Sequence, residues 1–127
     1  MSLKDKDARS IIDTNLHSAI LGCRYAAKSM MKNKRGGCII NVSSLLASKG
    51  VEGTSVYAAS KAGLLGKISP VDIWLVCSSE ELQLTNASHC LGLTSALAVE
   101  YGSCNVRVNA LVPGYIDTAM TESMLTA

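Results

Sequence analysis

Apolar positions recur at helical spacing through the first quarter of the chain. Ile11, Ile12, Leu16, Ile20, Cys23, Ala27, Met30 and Met31 fall close to one stripe, which predicts a helix within residues 4–33. The tract NKRGG follows, with basic residues and then glycine, and predicts the helix stop. The period then changes. CIINVSS, residues 38–44, is a short apolar run ending in small polar residues, and fits a strand buried on both faces, as in a parallel sheet. LLASKGVEGTS reads as a loop, with Thr54 or Ser55 as candidate N-cap. The alanine- and leucine-rich VYAASKAGLLG predicts a helix starting at Val56. LTSALAVEYG, residues 93–102, returns to helix and stops at Gly102. NVRVNALVPG, residues 105–114, is β-branched and closes on Pro-Gly, so it predicts a strand and a turn. The last segment, YIDTAMTESMLTA, predicts a loop leading into a short helix.

Strand, loop, helix, strand makes a βαβ unit, whose strands are parallel and whose crossover is right-handed. In such sheets ligands bind beyond the carboxyl ends of the strands. NVSS and LVPG both sit at such ends, so Ser43, Ser44, Pro113 and Gly114 are expected on one rim, beside the start of the helix that bears Tyr57.

Composition narrows the class. The chain has 127 residues, 48% of them apolar, which suits one modest globular domain. A formal charge of +2 without a basic run gives no footprint for nucleic acid. Cys23, Cys38, Cys77, Cys90 and Cys104 show neither CxxC pairing nor zinc-ligand spacing, so reduced thiols are expected. MSLKDKDARS has no apolar core of a signal peptide, and no apolar run reaches the ~18 residues of a membrane helix. A cytoplasmic or mitochondrial protein, not secreted, is expected. NAS at residues 86–88 is then a chance glycosylation match, His17 a surface or interface residue, and Met30 and Met31 packing residues.

Tyr57 and Lys61, in YAASK, stand four positions apart and share a helix face. A phenol with a pKa of about 10 is a poor proton donor or acceptor at neutral pH. A nearby ammonium favours the phenolate and lowers that value. Such a tyrosine can give a proton to a carbonyl oxygen or take one from an alcohol. A serine hydroxyl at the adjacent strand end can hold the same oxygen. The set suits hydride transfer, in which a cofactor carries the hydride and the protein manages the proton. The pair alone is a weak signal, because any alanine-rich helix can show it.

NVSS, a loop, YAASK, a helix and VRVNALVPG, in this order, resemble the short-chain dehydrogenase/reductase family over residues 8–66 and 93–124. The wording is most similar to 3-oxoacyl-acyl-carrier-protein reductases and related carbonyl reductases. The resemblance implies a catalytic set of Ser44, Tyr57 and Lys61, with Asn15 of DTNLHSAILG supporting a proton-relay water. It implies that Pro113 and Gly114 lie beside a nicotinamide, that Thr118 contacts its carboxamide, and that Lys61 and Tyr57 hold its ribose. The cofactor implied is NADP or NAD, with NADPH favoured, and the substrate a small-molecule or acyl-thioester carbonyl. Homo-oligomers through the Asn15 and Tyr57 helices are implied as well, with no nucleic acid or membrane partner.

The departures from the family are equally specific. No TGxxxGxG turn is present to cradle a pyrophosphate on a helix N-terminus. The expected fold class is a partial Rossmann-type, doubly wound parallel α/β sheet that lacks its N-terminal half, in one incomplete domain over residues 1–127. About ninety residues of sheet are expected upstream. Residues 67–92 form an atypical insert between KAGLLG and LTSALAVEYG, and Pro70 should end the helix there. Two origins stay open. Gly66-Lys67 can be encoded with a donor-like GTAAG, Thr85-Asn86 with a branch-like CTAAC and Leu91-Gly92 with an acceptor-like TAG, in frame, as in a retained intron. The other origin is a genuine surface insertion. Two functions follow: an NAD(P)H-dependent reductase of 3-oxoacyl thioesters or related ketones, or a truncated non-catalytic chain, at most a partner of a full-length subunit.

Overall fold

The computed structural model describes residues 3–65 and 92–116 of the chain. The first helical run has three parts: α1 over Asp5–Ile12, a π-helical turn over Asp13–His17, and α2 over Ser18–Lys32. Asp5 and Asp7 lie in the first turn of α1, where the helix dipole favours negative charge. The π turn interrupts the single helix expected from the stripe, and such turns carry one extra residue per turn. The Ser18 hydroxyl donates to the Thr14 carbonyl at 2.5 Å within this region. Cys23 and Ala27 are buried, while Ile20 is 44% exposed and departs from the stripe.

The helix stop also differs in detail from the expected glycine ending. Asn33 caps α2, and the left-handed residue after it is Lys34, with φ of 52°. Its N–H donates to the Met31 carbonyl at 3.1 Å. Gly36 takes φ of 70° two residues later, where an added Cβ would run into Asn105.

Strand β1, Gly37–Val42, pairs in parallel with β2, Val106–Leu111; Gly37 faces Val106 and Val42 faces Leu111. Helices α3, Ser55–Leu65, and α4, Leu93–Gly102, lie between the two strands in sequence. The Thr54 carbonyl accepts the first bond of α3 from Ala58 N–H, and its hydroxyl donates to the Val51 carbonyl. The described part is therefore a parallel α/β unit of the Rossmann type. Its core joins Cys23 and Ala27 of α2, Ile39 of β1, Leu97 of α4, and Val106 and Val108 of β2. So α2 and α4 cover one face of the sheet. The strand expectation fails on the other face: Ile40 is 61% and Val42 50% exposed, because none of the described helices packs there. Leu64 and Leu97 are buried, while Val99 is 82% exposed.

A chain of buried polar groups crosses this core. The Cys23 thiol donates to Asn41 Oδ1 at 3.2 Å, and Asn41 Nδ2 donates to Thr94 Oγ1 at 3.0 Å. The Thr94 hydroxyl donates to the Leu64 carbonyl at 2.5 Å. Four elements, α2, β1, α4 and the end of α3, are thereby joined. The last bond has a geometric meaning. Without the 26 residues 67–92, Thr94 would stand four positions after Leu64, where a helical threonine bonds the i−4 carbonyl.

Two outcomes are expected. Thr94→Ala leaves the Asn41 amide and the Leu64 carbonyl buried without this partner, and should cost about 1–3 kcal/mol in urea unfolding; an unchanged midpoint would contradict the network. Burial pushes the Cys23 thiol up, with the Asn41 bond acting the other way. The folded chain therefore keeps this proton to higher pH than the unfolded chain. Its stabilising contribution is whole below the ordinary thiol value and fades as pH rises toward the folded one. In iodoacetamide mapping across this range, exposed Cys38 and Cys104 should react first and Cys23 only on unfolding.

Candidate active site

The carboxyl ends of both strands are tied together. Ser43 N–H donates to the Leu111 carbonyl at 2.8 Å, extending the ladder one residue past β1. A short 3₁₀ turn, Leu45–Ala47, follows, and Ser44 caps it by accepting from Leu46 N–H at 3.2 Å. That bond uses the oxygen of Ser44 and leaves its hydroxyl proton able to donate. Leu45 N–H donates to the Pro113 carbonyl at 2.9 Å. Ser44 and Pro113 thus share one rim, as expected from the strand ends, and Gly114 follows on the same loop, half-buried.

Helix α3 is fastened to that rim at one turn. The Ser43 hydroxyl donates to the Lys61 carbonyl at 2.7 Å, and Lys61 Nζ donates to the Val42 carbonyl at 3.0 Å. Lys61 is held at both its backbone and its ammonium. The same Nζ lies 5.9 Å from the centroid of the Tyr57 ring, so the i, i+4 pair is in contact range. Tyr57 is half-buried.

Asn15 reaches the same helix from the π turn. Its Nδ2 donates to Ser60 Oγ at 3.1 Å, and the Ser60 hydroxyl donates to the Tyr57 carbonyl at 2.7 Å. Ser60 is fully buried. Gly63 allows the approach, since a Cβ there would lie 3.0 Å from a Leu16 methyl. Asn15, Tyr57 and Lys61 are therefore joined through α3, and Ser44 and Pro113 border it. Thr118 and the helix expected near the end of the chain lie outside the described residues, as do Trp74, Cys77 and Cys90. The sequence reading missed Ser43 and Ser60 as links. The signal was a buried-type small polar residue, one in NVSS and one between Tyr57 and Lys61.

Elsewhere, a groove of about 650 Å³ runs between α1 and α3, lined by Ala8, Arg9, Ile12, Asp13, Ser55, Val56 and Ala59. His17 is exposed on the π turn. Among the described residues no three His, Cys, Asp or Glu side chains converge as metal ligands, and no helix is long and apolar enough to cross a membrane.

This arrangement of strand-end serine, helix tyrosine and lysine, and Pro-Gly loop matches a known class. A profile of the short chain dehydrogenase family matches residues 1–69 and 89–127, and the chain belongs to that family. The unmatched stretch falls within residues 67–92. The chain is 35% identical over 124 residues to a 3-oxoacyl-acyl-carrier-protein reductase of Chlamydia trachomatis, covering 98% of this chain and 39% of that protein. It is also 35% identical to carbonyl reductase family member 4 of Danio rerio, over 95% of this chain and 39% of the relative. Among solved structures, acetoin dehydrogenase from Enterobacter cloacae superimposes with a TM-score of 0.69 at 26% identity, over 99% of this chain and 41% of that one. A 4-hydroxyisoleucine dehydrogenase complexed with NADH and succinate gives 0.65 at 25% identity, over 98% and 50%. The chain thus spans about two fifths of the length of the curated relatives it matches.

Proposed function

We propose that this chain is the catalytic portion of an NAD(P)H-dependent short-chain reductase that turns a carbonyl, a 3-oxoacyl thioester or related ketone, into an alcohol. The observation that carries the reading is the placement of Tyr57 and Lys61 on one face of α3, with Lys61 bonded to the carboxyl end of β1 beside Ser44. The names of the Chlamydia trachomatis and Danio rerio relatives support the substrate class. The NADH complex of one structural relative supports a nicotinamide dinucleotide. The compartment that goes with this reading is the cytoplasm or the mitochondrion.

The residues fit one end of such a cofactor. Lys61 and Tyr57 offer an ammonium and a hydroxyl to a ribose, and the Pro113–Gly114 loop offers backbone groups on the same rim. Thr118 belongs to that set by sequence. These 127 residues contain no glycine-rich turn for the pyrophosphate, so residues beyond them would hold the other end. When bound, the nicotinamide supplies the hydride. Tyr57 gives its phenolic proton to the substrate oxygen, and Ser44 donates to the same oxygen and fixes its position. Lys61 holds its positive charge beside the tyrosine ring. Asn15, fastened to Ser60, sets the π turn against this turn of α3, where proton resupply to Tyr57 would pass.

A second reading rests on the 39% coverage of the relatives. The 127-residue chain alone is a non-catalytic piece of the fold and, at most, a partner of a complete subunit. The groove between α1 and α3 lies on the helix faces through which a homo-oligomer would form.

Isothermal titration of the 127-residue chain with NADPH should give no saturable binding at micromolar cofactor; saturable binding would show a dinucleotide site within this chain. In a chain completed with a nucleotide-binding portion, Tyr57→Phe should lower carbonyl reduction by about 10²–10⁴-fold, the range of one acid–base group. Full activity in that variant would remove Tyr57 from the proposed role.

A further inference from the structure

Tyr57 and Lys61 share a backbone feature. The Tyr57 carbonyl accepts the Ser60 hydroxyl and the Lys61 carbonyl accepts the Ser43 hydroxyl, each at 2.7 Å. One turn of α3 is thereby gripped from two sides. Ser43 comes from the end of β1. Ser60 connects the same turn to the π turn, because its oxygen accepts from Asn15 Nδ2 at 3.1 Å. Ser60 has no solvent exposure. A serine has one proton to give and lone pairs to receive. Here the proton goes to the Tyr57 carbonyl and a lone pair to Asn15, so the direction from Asn15 through Ser60 to Tyr57 is set.

Both sides of this contact depart from a regular helix. A buried hydroxyl leaves water, and a serine that bonds back to its own preceding turn slightly destabilises and bends a helix. Alanine would carry neither cost. Across the contact, Ser18 N–H reaches back five residues to the Asp13 carbonyl. The Ser18 hydroxyl occupies the Thr14 carbonyl, which a regular α-helix would give to that N–H. Leu16 presses on α3 beside the polar contact, 3.0 Å from where a Gly63 Cβ would lie. A back-bonded turn and a π turn thus meet at the Asn15–Ser60 hydrogen bond.

We propose that Ser60 is a positioning residue for the proton transfer assigned to Tyr57: it holds the Tyr57 turn of α3 against the π turn and so fixes the phenol relative to Asn15. This rests on the reading of Tyr57 as proton donor. Ser60 relays no proton itself, since its own is committed to the Tyr57 carbonyl. Without the hydroxyl both bonds are lost, and the Asn15 side chain is released. Lys61 stays held by Ser43 and by the Val42 carbonyl. Binding should therefore change little while proton transfer slows.

The first test is nuclear magnetic resonance of the 127-residue chain with isotope-labelled tyrosine and asparagine. Tyr57→Phe assigns the Tyr57 ring signal. Ser60→Ala should shift that signal and speed hydrogen exchange at the Asn15 side-chain amide, with the far-ultraviolet circular dichroism preserved. Ser60→Thr keeps a hydroxyl that donates and accepts, and should restore both. Asn15→Ala cuts the same chain of bonds from its other end and should move the Tyr57 signal as Ser60→Ala does. In the completed chain, Ser60→Ala should lower kcat by up to about 10²-fold, the scale of a small misplacement of a reacting group, with KM unchanged and a larger solvent deuterium isotope effect. Ser60→Thr should recover the parent kcat. A Tyr57 signal unmoved by both alanine variants, a loss confined to KM, or equal losses in Ser60→Ala and Ser60→Thr would each overturn the proposal. Tyr57→Phe keeps the two readings apart. Full activity in that variant removes the proton donor, whereas its inactivity beside a fully active Ser60→Ala removes only the positioning role.

Discussion

Asn41 places an amide in the interior, where every unmade hydrogen bond is costly, and the helices are arranged so that each bond is made. Its oxygen accepts from the Cys23 thiol of α2, and its nitrogen donates to Thr94 of α4. Thr94 passes the constraint to the carboxyl end of α3 through the Leu64 carbonyl. Burying an amide without partners costs several times what one net hydrogen bond contributes. The network therefore selects one relative placement of α2, α3, α4 and β1 far more sharply than apolar packing alone, which tolerates sliding.

The candidate site inherits that placement. Two residues beyond Asn41, Ser43 bonds the Lys61 carbonyl, and Val42 between them accepts from the Lys61 ammonium. The turn of α3 that carries the tyrosine–lysine pair is thus fixed to the strand end rather than to a loop. Ser44 follows directly and caps the 3₁₀ turn, whose first N–H bonds Pro113. From Asn41 to Ser44, four consecutive residues serve the core, the strand end, the helix and the rim in turn. Strand alternation makes this division of labour available: Asn41 and Ser43 point into the packed side, while Val42 offers its backbone at the open edge.

The break between α3 and α4 has a bearing on how the chain relates to its family. The family profile matches on both sides of this break and leaves out residues within it. Yet Thr94 still reaches Leu64, and Leu64 and Leu97 are both buried. The packing of the two helices is kept although residues 70–88 between them lie outside the family match. A side-chain hydrogen bond and a shared apolar face are enough to hold the ends in place, because helix position depends on what its buried face meets.

Periodicity and turn chemistry alone located the described helices, the two strands and their parallel pairing, since one buried helix face and a short apolar or β-branched run write themselves into residue order. YAASK and NVSS likewise marked the residues that meet at the rim, because i, i+4 spacing and strand ends are local geometry. The π turn at Asp13–His17, the Asn15–Ser60 contact and the Asn41 network were not legible. The contact and the network depend on partners 18 to 53 positions apart, and a small polar residue looks the same in sequence whether it faces water or a buried amide. The sequence also predicted a strand covered on both faces. Only the tertiary structure showed that Ile40 and Val42 are bare here, because cover is supplied by neighbouring elements and not by the strand itself.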